Sequence, residues 1–210
     1  MKEYPKIETI FNRDTTGTKK LIPGSYRSET VKYLSELTWV WTEKIDGTNI
    51  RIHWDGHTIT FGGRTDRANI PVDLVNWLNE KFLNTETEEL FEQKFGDTEV
   101  TLYGEGYGRK IQNGGSYIPD GVSFILFDVL INDIWLTRDS VEDVAKCFNI
   151  DCVPIINTGT IEEAVEFVKT KPDSTIGTAK MEGVVCRPKM ELFDRCGNRI
   201  IVKVKVRDFT

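Results

Sequence analysis

The sequence predicts an α+β fold built mainly from antiparallel strands. Two patterns carry that expectation. Ile50, Ile52 and Trp54 alternate with Arg51 and His53, and Ile59 and Phe61 alternate again after Asp55-Gly56. Alternation around Asp-Gly is a hairpin signal. Val122 to Ile131 is then a nearly continuous apolar run, as a buried strand requires, and Asn132-Asp133 turns it back into Ile134-Trp135-Leu136. Helical periodicity elsewhere supplies the α part.

In chain order, residues 5–11 form a short ordered lead-in, and polar Asn12 to Gly24 reads as a loop. Ser28 caps a helix with Val31, Leu34 and Leu37 on one face. Trp39 to Lys44 is an apolar strand. Pro71 opens a helix carrying Leu74, Val75, Leu78 and Phe82, and Glu86 to Phe95 forms a second, acidic helix ending at Gly96. Val100 to Tyr103 is a strand leading into a glycine turn, and 109–121 is a polar loop. Asp139 or Ser140 caps a helix, another runs from Ile161 to Lys169, and strands follow at 180–187 and 200–206.

The chain has 210 residues, 39% hydrophobic and 29% charged, enough for a sizeable core. A formal net charge of -6 excludes a protein that coats nucleic acid by bulk charge and leaves room for a local basic site. Cys147, Cys152, Cys186 and Cys196 show no CxxC spacing, so free thiols are expected rather than zinc. His53 and His57 flank the hairpin turn and read as exposed, with no third ligand beside them. No signal region or apolar run of membrane-spanning length is present, so a cytoplasmic address is expected.

The chemistry-bearing stretch is Glu43-Lys44-Ile45-Asp46-Gly47-Thr48-Asn49. Continued alternation would turn Lys44 and Asp46 to one side. A lysine at a strand end is a candidate nucleophile if its surroundings favour the amine, and otherwise a surface lysine. Arg64, after two glycines, could offer a fixed fork to phosphate or carboxylate. Glu105 lies between Gly104 and Gly106, where a ligand such as a ribose could approach, though such a stretch is also an ordinary turn. Phe127 reads as a core residue or as a plate for a base. Glu182-Gly183 opens a strand. Lys203 and Lys205 share one face of another, either as anti-aggregation charges or as a hold on a polyphosphate.

Taken in order, Lys-Ile-Asp-Gly-Thr-Asn, Leu-Tyr-Gly-Glu-Gly, Ser-Phe-Ile-Leu-Phe-Asp, Met-Glu-Gly-Val-Val and Val-Lys-Val-Lys resemble five motifs of the covalent nucleotidyltransferases. That superfamily holds DNA ligases, RNA ligases and mRNA capping enzymes. Glu-Lys-x-x-Gly-Thr-Asn and the early Ile-Glu-Thr-Ile-Phe look most like the RNA ligase branch. The resemblance implies two packed antiparallel sheets with peripheral helices, an ATP-grasp-like arrangement with the nucleotide in a cleft between them. It implies an ATP-dependent RNA ligase working through a lysyl-adenylate on Lys44. Glu43 and the Ile45 backbone would read the adenine edge, and Phe127 would stack on it. Arg64 and Glu105 would hold the ribose, and Asn49 would act near the phosphate. Glu182 would place Mg²⁺ or Mn²⁺, through water, while Lys203 and Lys205 would hold the α-phosphate. The expected partner is RNA with 5′-phosphate and 3′-hydroxyl ends, in a nicked duplex or otherwise.

The chain stops at Thr210, just after the last motif, so 1–210 is expected to be a single adenylation domain with no C-terminal OB or other accessory domain. An accessory protein would then supply any missing surface. Asp46 is the common DNA-ligase choice, which keeps an ATP-dependent DNA ligase or a GTP-using capping-type enzyme as alternatives. A non-catalytic nucleotide or RNA-end binding protein is a third reading.

Overall fold

The computed structural model describes residues 1–209, which form two compact units. One comprises Met1–Pro5 with Asp46–Val153, the other Lys6–Ile45 with 154–209. The architecture is α+β with mostly antiparallel strands, as expected. Among the described residues no helix is long and apolar enough to cross a membrane.

In the first unit the order across the sheet is Asp151–Cys152, Val122–Ile131, Val100–Gly108, Thr48–Trp54 and Ile59–Gly62, with Ile134–Trp135 paired to Val122–Ile131. Only Asp151–Cys152 runs parallel to its neighbour. The alternation of Ile50, Ile52 and Trp54 turns these side chains to one face. There they meet Leu102 and Leu126, and Leu74, Leu78, Phe82 and Phe91 from the helices Val72–Phe82 and Thr85–Phe95. The helix Arg138–Cys147 adds Val141 and Ala145 to this core, starting from Thr137 rather than Asp139 or Ser140.

Two expectations change here. His53 is buried, not exposed: its Nδ1 lies 3.0 Å from the Thr101 hydroxyl, and burial, against the pull of Glu99, pushes its pKa down. Glu105 lies within a strand, since Val100–Gly108 runs unbroken through both flanking glycines. Those glycines answer to packing, because a Cβ on Gly104 would sit 2.2 Å from the Phe124 ring and one on Gly106 2.3 Å from Leu74. Arg51, which alternates with the core-facing isoleucines as His53 does, is also fully buried.

In the second unit the sheet order is Glu8–Thr9, Val202–Lys205, Gly183–Pro188, Trp39–Lys44 and Ile155–Gly159. Glu8–Thr9 pairs in parallel and the rest antiparallel. The helix Ile161–Lys169 covers one face with Ile161, Ala164, Val165 and Val168, its first turn closed by a Thr160–Glu163 capping box. The expected loop from Asn12 to Gly24 is instead the turn of a ribbon, flanked by the paired strands Phe11–Arg13 and Leu21–Tyr26, with Leu21 buried. Its turn is organised by Asp14, which accepts from the backbone N–H groups of Thr16, Gly17 and Thr18. All four cysteines are free, as expected.

Candidate active site

The strand Trp39–Lys44 is buried on one side and half-buried on the other, so Lys44 shares its side with Thr42 and Val40. Its central neighbour is Gly183–Pro188, which also pairs with Val202–Lys205. Register decides what meets. Gly183 lies opposite Lys44 on one side and opposite Lys205 on the other. Residues directly opposite share a face, so the two lysines flank a position with no side chain of its own. The backbone enforces that gap, since a Cβ on Gly183 would sit 2.1 Å from the Val204 carbonyl oxygen.

Glu182 enters that space from the residue before the strand. Its Oε2 accepts from Lys44 Nζ at 2.6 Å, and its Oε1 accepts from Lys205 Nζ. All three side chains are well covered, at 22% exposed for Lys44, 12% for Glu182 and 13% for Lys205. Burial alone would raise the Glu182 pKa; Lys44 and Lys205 outweigh it and hold the carboxyl below its ordinary value. Lys203 shares Lys205's face, in register with Val185. It adds to the positive charge that, with Lys6 and Arg27, lowers the Glu8 pKa against the effect of burial.

Glu43 faces the opposite way from Lys44. Its carboxylate is buried at 2% exposure and bonded to Ser174 and Thr175. Ile45 is buried beside it. The strand ends at Lys44, so its alternation does not extend to Asp46. Asp46 belongs to the first unit, where its N–H donates to Tyr117 Oη at 3.1 Å and its Oδ2 accepts from Asn113 at 2.8 Å.

The first unit carries the other candidates. Asn49 and Glu105 lie opposite each other on adjacent strands, and Asn49 Oδ1 is buried without a hydrogen-bond partner. Phe127 is the extra residue of a β-bulge, because Tyr103 pairs with Asp128 while Gly104 pairs with Leu126. Tyr4 packs edge-on against it, with ring centroids 5.0 Å apart, and donates its hydroxyl to Asp128 Oδ2 at 2.7 Å. Arg64 is exposed, on a turn gripped by Arg51 at Gly63 and Asp66. A pocket of about 640 Å³ among the helices, lined by residues including Trp77, Lys81, Asn84 and Cys147, contains none of the candidates.

Sequence reasoning missed Ser174, Thr175, Asn113, Tyr117 and Tyr4. Each meets its partner across a long stretch of chain and carries no local motif. The one available signal was alternation, which already separates Glu43 from Lys44.

Among the described residues no group of three or more His, Cys, Asp or Glu could hold a metal. Glu182 contributes one carboxylate whose two oxygens already accept from lysines, so a divalent ion such as Mg²⁺ or Mn²⁺ there would be held largely by water and phosphate.

At this site a lysine at a strand end is joined through one carboxylate to a second lysine on an α+β scaffold. The RNA ligase family profile matches residues 37–205, and the chain belongs to that family. No curated protein matches it. Among solved structures it is similar to Naegleria gruberi RNA ligase in several forms. With pyrophosphate, the TM-score is 0.62 at 18% identity, covering 98% of this chain and 62% of that one. A lysine-to-alanine variant with ATP and Mn gives 0.62 at 17%, covering 97% and 61%. A lysine-to-methionine variant with AMP and Mn gives 0.63 at 17%, covering 96% and 61%. The chain thus spans about three fifths of the length of those ligases.

Proposed function

We propose that the protein is an ATP-dependent RNA ligase that joins a 5′-phosphate to a 3′-hydroxyl, with RNA as its nucleic-acid partner. The observation that carries this reading is the meeting of Lys44 and Lys205 on Glu182. Likeness to ligases solved with ATP, AMP, pyrophosphate and Mn supports the choice of nucleotide and ion.

Lys44 acts as the nucleophile. Its ammonium must first lose a proton to solvent, which like-charge repulsion from the Lys203 and Lys205 ammonium groups favours. The free Nζ lone pair attacks the α-phosphorus of ATP. An N–P bond forms, the bond to the bridging oxygen breaks, and pyrophosphate leaves with that electron pair. Lys205 and Lys203 meet the negative charge on the α-phosphate. Glu182 would help hold a divalent ion through water, and that ion would supply further charge neutralisation. Glu43 and the Ile45 backbone read the adenine edge, Phe127 stacks on the ring, and Arg64 and Glu105 hold the ribose. In the second step a 5′-phosphate oxygen attacks the adenylate phosphorus and Lys44 leaves. In the third, a 3′-hydroxyl attacks the activated 5′-phosphate with Asn49 near it, and AMP departs.

The test is label transfer. The protein is mixed with α-labelled ATP and Mg²⁺, then denatured. Acid-labile label should remain on the wild type and be absent from Lys44→Ala, and mass spectrometry should place AMP on Lys44. An unlabelled wild type, or a labelled Lys44→Ala, sinks the reading. Parallel assays with GTP, and with nicks carrying RNA or DNA on each side, separate it from capping-type and DNA-joining enzymes.

A further inference from the structure

Glu43 is the residue before the nucleophile, yet alternation puts it on the other side of the strand, with Trp39 and Trp41. A carboxylate buried there needs hydrogen-bond donors. One turn, 131 residues further along, supplies three. Ser174 Oγ donates to Oε1, and Thr175 donates to Oε2 twice, through its N–H at 3.0 Å and its hydroxyl at 2.5 Å. The Ile176 N–H donates to Ser174 Oγ at 3.0 Å, which leaves that hydroxyl's hydrogen for Glu43. The turn itself is tied down, since the Ser174 N–H donates to the Ala179 carbonyl at 2.9 Å.

A carboxylate has about four acceptor sites and no donor. Thr175 fills both on Oε2, Ser174 fills one on Oε1, and one site on Oε1 remains. We propose that Ser174 and Thr175 are positioning residues, which fix Glu43 as an acceptor for the exocyclic amino group of adenine and so help it select ATP over GTP. This rests on the nucleotide-site reading given under Proposed function. Adenine presents an N–H donor to the open site. Guanine presents a carbonyl oxygen in the same place, setting acceptor against acceptor. A polar site built to receive one hydrogen bond rejects the base that cannot make it, provided the site cannot rotate to suit the wrong base. Three donors from one turn prevent that rotation.

The experiment uses the full chain with Mg²⁺ and α-labelled ATP or GTP, comparing rates of label retention after denaturation. The wild type should favour ATP. Ser174→Ala combined with Thr175→Val should lower the ATP:GTP rate ratio by about tenfold or more, the equivalent of one net hydrogen bond. Thr175→Ser, which keeps the hydroxyl, should hold the ratio within about threefold of wild type. If the double variant does not fold, Thr175→Val alone removes one donor and should lower the ratio by about threefold. Variants in which both rates fall together at a fixed ratio overturn the proposal, because the turn would then be only a structural brace. A wild type that uses both nucleotides equally also overturns it. A wild type that takes label from neither defeats the adenylation reading and this inference with it, whereas a labelled wild type with an unchanged variant ratio defeats this inference alone.

Discussion

Replacing Arg51 by methionine tests how the first unit is held together. The guanidinium has no exposed surface. Its Nε donates to the Gly63 carbonyl at 2.7 Å, Nη1 to the Met1 carbonyl at 3.1 Å and Nη2 to Asp66 Oδ1 at 2.8 Å. Methionine keeps most of the volume and loses all three bonds. Gly63 is buried, so its orphaned carbonyl costs about 1–3 kcal/mol. Asp66 is 76% exposed and regains water, so its lost ion pair adds about 0–1 kcal/mol. Met1 is exposed at 37%, and its carbonyl finds water at little cost. The expected loss is therefore about 1–4 kcal/mol, dominated by one carbonyl rather than by the ion pair. Asp66→Asn should accordingly cost at most about 1 kcal/mol. Urea unfolding followed by fluorescence gives both values from the midpoint and slope. Equal losses in the two variants, or a loss under about 1 kcal/mol for Arg51→Met, would refute the accounting. Because Arg51 grips the turn carrying Arg64, its variant should also weaken ATP use more than Asp66→Asn does.

Two further outcomes follow from packing. Ala at position 47 would place its Cβ 2.3 Å from the Gly106 carbonyl oxygen and 2.9 Å from Glu105 Cγ. Thr48 is already paired with Gly106, so the strand cannot retreat, and Gly47→Ala should cost about 1–3 kcal/mol by denaturant titration and lose label transfer. A thiol reagent should modify exposed Cys196 in the native protein and reach Cys186 only in denaturant, since burial pushes the Cys186 thiol's pKa up; native labelling of Cys186 would contradict its burial.

Much of the scaffold was legible because it is locally periodic. Ile50, Ile52 and Trp54, the run from Val122 to Ile131, and the face of Leu74, Leu78 and Phe82 each announce one buried side. Alternation also paired Lys203 with Lys205 on one face. What failed was any inference from alternation to exposure. Arg51 and His53 alternate with the core-facing isoleucines and are nonetheless buried, so being on the second face of a sheet does not mean being in water. Glu105 looked like part of a turn because glycine has no side chain. Here the glycines answer to Phe124 and Leu74, and that requirement becomes visible only when the strands and the helix Val72–Phe82 are in place. Ser174 and Thr175 sit in an unremarkable polar stretch. Only the pairing of Trp39–Lys44 with Gly183–Pro188 brings the end of that stretch close to the nucleophile's neighbour.

The Glu182 bridge gives the clearest dependence on pH. Its folded pKa lies below the ordinary 4.5, so the unfolded chain binds the proton more readily. The stabilisation it contributes is therefore fully present above about 4.5 and is lost as pH falls through the folded value. Glu182→Gln keeps the shape and removes the charge, leaving Lys44 and Lys205 facing each other across Gly183 without their counter-ion. A buried pair so broken costs about 3–5 kcal/mol. Partial exposure of 12–22% in this group reduces that to about 1–3 kcal/mol at neutral pH. The gap between wild type and variant should then be widest near neutrality and narrow steadily in acid, as wild-type Glu182 itself becomes neutral. Melting curves of both proteins across that range measure the gap directly. A gap that stays constant, or widens in acid, would mean that the carboxylate's charge contributes nothing to holding the two lysines. The site would then owe its shape to the register of three strands alone.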